Sequence, residues 1–411
     1  MYFASPMPVY FHILRVASRG QLYLEHTLSQ RLACTSRGVA SSAVKEKHPI
    51  SKNNFVIEHA FHEKENYSYD IGRNCLFKKS NLADHSWCLG PSNLKSHTSG
   101  SEHTGRGRHG WSLASVLALS IFSTRSEGEE EKKESELIIM IKRGILALKS
   151  GELKKAEQLL HVALKMAQET NNQQAVTYIF DLLANLAYQR EEYPKAEQLF
   201  KDVLQRLLSG GMAEDDNAVV EISLKLASVY ASVENYEKAV QGFQFCISTQ
   251  EEKINKKGEA AVDEDTLLLW AMSMDWYARF LLNLHKFELA KQHFLKAYEM
   301  SARVNGWGHS QTAVLLNDIG SVCSLQKNYT EAMDYLEKAI AAAREAKSSD
   351  IGSFYVNLGT VYLQQGLHGE ARRCCKEGLT LSRKMKNIDG AEEAEICLAE
   401  IEKVIKAEER K

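Results

Sequence analysis

Gly105, Gly107 and Gly110 spell G-x-G-x-x-G, the spacing with which a glycine turn lets backbone approach a dinucleotide pyrophosphate at a helix start. That chemistry needs a strand before the turn, and the polar string HTSGSEHT stands there instead. Cys75, Cys88, His97 and His103 carry thiolate and imidazole donors for zinc, but twelve residues separate the two cysteines, where a structural knuckle uses two to four. Asp215 and Asp216 form an acid pair in GGMAEDDNAVV, at a place where carboxylates cap the first turn of a helix. His161, His285, His293, His309 and His368 are scattered far apart along the chain. No P-loop, H-E-x-x-H, G-x-S-x-G or kinase signature occurs. The expectation is a protein without catalytic residues, bound metal or cofactor.

The elements that would position these residues fall into two kinds of material. The chain holds 51 Lys+Arg against 53 Asp+Glu, yet residues 1–125 carry 15 Lys+Arg and 8 Asp+Glu, which leaves the remainder at −9. Four of the five prolines precede residue 126, so Pro194 alone interrupts the last 286 residues, as suits helices. The eight cysteines form no C-x-x-C pair and read as buried thiols rather than staples. Residues 1–40 hold Arg15, Arg19, Arg31 and Arg37 against Glu25, the composition of a mitochondrial targeting segment or of a disordered basic tail. Residues 41–110 are polar, rich in histidine and without periodicity, and read as a disordered linker. The uncharged run from Trp111 to Phe122 would span about 18 Å as a helix, short of the ~30 Å hydrocarbon core. Residues 111–124 therefore read as a sorting or membrane-associating segment, or as a helix packed on the body. An acidic hinge is expected over 125–136.

From residue 137 one template recurs. Ala156, Ala196, Ala239, Ala290, Ala332 and Ala371 are each followed four residues on by Leu160, Phe200, Phe243, Phe294, Leu336 and Cys375. Twelve residues before each alanine stands a small residue: Gly144, Ala184, Ala227, Ala278, Gly320 and Gly359. A small residue on helix A facing a large one on helix B lets two antiparallel helices approach closely. The pattern resembles the tetratricopeptide repeat family, although its helix A Trp and the Pro after helix B are missing and the alanines are 39 to 51 residues apart. The predicted fold is all-α: a superhelical solenoid of about six helix pairs over 137–387, a capping helix over 388–411, and a largely disordered N-terminal region.

In this family the concave face belongs to helix A, which makes Asp181, Asn185, Tyr188, Asp275, Arg279, Asn317 and Ser321 candidate peptide-groove residues, exposed and polar. Asp181 and Asp275 would then steer a basic peptide by long-range attraction. Ile141 and Ile145 stand where a chaperone-tail clamp needs a basic residue and Asn, and a −9 array opposes nucleic acid. The strings ELIIMIKRGILALKSGELKKAEQLL and LLSGGMAEDDNAVVEISLKLASVYA resemble a mitochondrial branch of the family closely. That resemblance implies a non-enzymatic factor associated with the inner mitochondrial membrane. It would support assembly and upkeep of respiratory complex III, around the Rieske iron–sulfur protein and clearance of its N-terminal fragments. A cytosolic adaptor is the alternative, since the spacing and GWGHSQTA are also similar to kinesin light chains.

Overall fold

The computed structural model describes residues 129–410, so the glycine motif, the Cys75/His103 cluster, the targeting segment, the linker and the 111–124 run lie outside the described residues. Among the described residues there are thirteen α-helices: α1 Glu129–Lys149, α2 Leu153–Glu169, α3 Gln173–Gln189, α4 Tyr193–Ser209, α5 Asn217–Ser232, α6 Tyr236–Lys257, α7 Glu264–Asn283, α8 Phe287–Asn305, α9 Ser310–Leu325, α10 Tyr329–Glu345, α11 Ile351–Gln364, α12 His368–Met385 and α13 Ile388–Glu408. A 3₁₀ turn, Glu259–Ala261, precedes α7. Odd-numbered helices α1 to α11 are helix A of each pair, even-numbered ones helix B, and α13 is the cap. The hinge expectation needs correcting, because residues 129–136 are already helical; EEEKKESE is made mostly of strong helix formers.

The register follows from the close contacts. A Cβ added at Gly144 would lie 2.9 Å from Leu160 Cδ2, one at Gly320 2.7 Å from Leu336 Cγ, and one at Gly359 2.6 Å from Cys375 Sγ. Each of these three glycines therefore faces the large residue of helix B sixteen positions on, and at Ala184, Ala227 and Ala278 the same position holds no more than a methyl. All six anchoring alanines are fully buried. The turn from A to B reverses through one left-handed residue, Gly151, Glu191, Glu234, His285, Lys327 or Gly366. Pro194 enters at the start of α4, where a missing N–H costs no helical bond. The wider alanine spacings arise in two ways: α4 is followed by a loop over 210–216, whereas α6 itself runs on to Lys257.

The chain divides into two compact units, whose described parts are residues 129–245 and 246–410. In the first, Ile179 and Leu186 of α3 and Ala196, Phe200 and Val203 of α4 are buried. In the second, one apolar cluster runs through Phe294, Leu315, Ile319, Leu336 and Phe354. A smaller one joins Val356, Ala371 and Cys375 to Ala394, Cys397 and Ile401 of the cap, the stripe expected for a polar-backed terminal helix. Cysteine usage departs from expectation at one place. Cys375 and Cys397 are joined by a disulfide, because the packing of α12 on α13 brings their Cα atoms to 6.3 Å, within bonding range. Cys246, Cys323 and Cys374 are buried thiols.

Candidate functional site

The seven candidate residues lie on helix A, but the structure places most of them inside. Asp181, Asp275, Arg279, Asn317 and Ser321 are buried, and Asn185 and Tyr188 are half-buried. The expectation of exposed groove residues is corrected for those five. Asp181, Arg279 and Asn317 pair with the helix A of a neighbouring repeat, about forty residues away in sequence, and Asp275 and Ser321 pair with a residue four away on their own helix.

In the first unit, Lys225 of α5 places its Nζ 3.1 Å from Asp181 Oδ1 of α3 and 3.1 Å from Glu221 Oε1, one turn earlier on α5. Asn185 donates its Nδ2 to Asp181 Oδ1 at 3.1 Å and to the Asp181 carbonyl at 2.8 Å. The Tyr188 hydroxyl is hydrogen-bonded to Ser232 Oγ at 3.2 Å, and its ring meets Tyr193 edge-on. In the second unit, Arg279 Nη2 of α7 donates to Asp318 Oδ2 of α9 at 2.5 Å and lies 3.0 Å from Asp275 Oδ1. Asn317 Nδ2 donates to Asp318 Oδ1 at 3.4 Å, and Asn357 Nδ2 of α11 donates to Asn317 Oδ1 at 2.8 Å. Ser321 Oγ donates back to the Asn317 carbonyl at 2.9 Å. A last step joins Ser353 Oγ of α11 to Glu393 Oε2 of α13 at 2.8 Å.

These contacts make polar seams from one helix A to the next. Counted from the small residue, the residue three before it pairs with the residue two before it on the next helix A: Asp181 with Lys225, and Asn317 with Asn357. Sequence reading missed the second partner of each step, namely Lys225, Asp318 and Asn357, with Glu221, Ser353 and Glu393 beside them. The available signal was a charge inside an otherwise apolar helix, as in AVVEISLKLASVYA and SQTAVLLNDIGSV, which needs a buried partner.

Burial pushes the Asp318 carboxyl up to about 7, with Arg279 opposing and Asp275 adding to the rise. Asp275 is raised as well, again by burial against the pull of Arg279. Shifted acids mark many active sites, but here both carboxylates close on one guanidinium. The remaining candidates are equally structural. Asp216 caps α5 by accepting from the Ala218 N–H at 2.9 Å, and His309 caps α9 by accepting from the Gln311 N–H at 3.2 Å. His285 supplies a left-handed turn residue, and His368 stands 3.0 Å from Glu408. His293 packs on Tyr277, and burial, with Lys296 nearby, lowers it to about 4. Among the described residues no group of three His, Cys, Asp or Glu side chains could hold a metal ion.

Six A/B pairs with a small-to-large register, left-handed turn residues and a capping helix define a tetratricopeptide-repeat protein. Family models described as tetratricopeptide repeat match residues 268–345 and 352–385. A model of anaphase-promoting complex subunit 5 matches 124–190 and 200–280. The human protein named tetratricopeptide repeat protein 19, mitochondrial, is 36% identical over 313 residues, covering 71% of this chain and 82% of the relative. The Drosophila melanogaster homolog is 34% identical over 301 residues, 73% of this chain and 80% of the relative. The chain belongs to the tetratricopeptide repeat protein 19 family. It is a protein-binding scaffold of the tetratricopeptide-repeat kind.

Proposed function

We propose that the chain is a mitochondrial scaffold that supports assembly and maintenance of respiratory complex III. In this reading it acts around the Rieske iron–sulfur subunit and the clearance of its N-terminal fragments, in association with the inner membrane. The observation that carries the reading is membership of a family of mitochondrial proteins over about four fifths of the human relative's length. The Arg-rich first 40 residues suit import. Among the described residues no helix is long and apolar enough to cross a membrane.

The stacked pairs suit this work because a repeat array holds an extended surface at fixed spacing. Of the seven candidate groove residues, Asn185 and Tyr188 keep part of their surface and are proposed to touch a bound segment. Asp181, Asp275, Arg279, Asn317 and Ser321 act by fixing the helices that carry the surface. Removing the chain from cells and following the Rieske subunit tests the reading. Its fragments accumulate and complex III activity falls without the chain, and both recover with the full-length protein. Unchanged fragments, together with a tagged chain that stays in the cytosol, would replace the reading with that of a cytosolic adaptor.

A further inference from the structure

In five of the six pairs the large position of helix B holds Leu160, Phe200, Phe243, Phe294 or Leu336, and in the last it holds Cys375. A free thiol is smaller than any of these side chains, so alone it would leave that pair underpacked. Cys375 faces Gly359 as Leu336 faces Gly320, and what completes the contact is the bridge to Cys397 of α13. Both cysteines are buried, in one small cluster with Val356, Ala371, Ala394 and Ile401. The bulk that the other pairs take from their own helix B is supplied here by the cap. Beyond the cluster, α13 is held by a buried hydrogen bond from Ser353 to Glu393. It is also held by ion pairs at the surface, Arg372 with Glu402 and Arg383 with Glu395, which contribute little each.

We propose that the Cys375–Cys397 bridge is a redox latch on the end of the array. Oxidised, it clamps the cap to the sixth pair; reduced, it lets α13 open locally and bares the apolar face of α12 beneath. The electron donor is a dithiol protein of the C-x-x-C class. One donor thiolate attacks a bridge sulfur, its second thiol resolves the mixed disulfide, and the donor leaves as a disulfide. Cys375 and Cys397 each end as a thiol, two electrons and two protons having passed to them from the donor. Both sulfurs are shielded, so attack waits on opening of α13, and a terminal helix is where opening is least costly. Cys374, next along α12, is buried in the larger cluster instead and stays out of the exchange.

The test uses the full-length chain purified without reductant, compared with the same chain reduced by dithiothreitol or by thioredoxin. Alkylation and peptide mapping report the bridge, and hydrogen exchange read by mass spectrometry reports the opening of each helix. The untreated chain should carry the bridge, and thioredoxin should open it. Exchange over residues 388–408 should then quicken by about tenfold or more, while that of residues 310–325 stays as it was. Cys397→Ser should exchange like the reduced chain with or without reductant. Cys375→Leu combined with Cys397→Ala sets a leucine against Gly359, as in the pair before it, and should hold the cap under both conditions. An untreated chain without the bridge, a bridge that thioredoxin leaves intact, or equal exchange of α13 in the oxidised and fully reduced chains would each overturn the latch. Redox sensitivity retained in the double variant would overturn it too, by placing the switch elsewhere.

Discussion

The two compact units each bury one cation between two carboxylates, and they do it differently. In residues 129–245 the cation is Lys225, a point charge whose ammonium meets Asp181 and Glu221 while Asn185 supplies Asp181 with a further donor. In residues 246–410 it is Arg279, whose Nη2 serves both Asp275 and Asp318, while among the described residues its Nε and Nη1 have no hydrogen-bond partner. The arginine also lies over the Phe294 ring. Lysine gathers acceptors around one atom, whereas a guanidinium satisfies its fork only when acceptors lie in its plane. The second cluster is therefore the more poorly solvated, and burial raises both of its acids, Asp318 to about 7.

The largest effect should come from Arg279→Ala, which leaves two buried carboxylates without a cation and costs about 3–5 kcal/mol, read by urea unfolding of the full chain. Lys225→Ala should cost less, about 1–3 kcal/mol, because Asn185 still donates to Asp181. Equal losses would remove the distinction between the clusters. Overpacking comes next. Ala332→Trp and Ala239→Trp force an indole into the closest A-to-B approach and should cost about 1–3 kcal/mol or more. An unchanged Tm for either variant would show the repeat register to be wrong.

A smaller effect separates the units by pH. Asp318 has a folded value of about 7 against about 3.9 when unfolded, so the native state holds the proton longer. Its contribution is full below about pH 4 and is lost as pH rises through 7. His293, lowered to about 4 from about 6.5 unfolded, has the opposite sign but is spent above pH 6.5. Between pH 6.5 and 8 wild type should lose on the order of 1 kcal/mol relative to Asp318→Asn. A constant difference across that range would refute the buried acid. Smallest is Gly366→Ala, where φ is +74° and a side chain costs about 1 kcal/mol, visible as a Tm drop of about 2–4 °C.

What could be read from sequence was whatever one helix pair fixes by itself. The spacing from Gly320 to Leu336 fixed the register, because contact across an A–B hairpin is local. The seam escaped, because Asp181 looks like a solvated acid until Lys225, forty-four residues on, is seen to face it. Exposure of a polar residue in a stacked array is decided by the neighbouring repeat, and no single helix records it. The disulfide was missed for the same reason: Cys375 and Cys397 are 22 residues apart, with no motif between them.

The scaffold reading is tested most directly by solubilising mitochondria in mild detergent and resolving the tagged full-length chain on a native gel. Co-migration with complex III is predicted, and it should persist in Asn185 and Tyr188 single variants at reduced yield. A folded chain, imported into mitochondria, that migrates alone under every detergent condition would contradict the account.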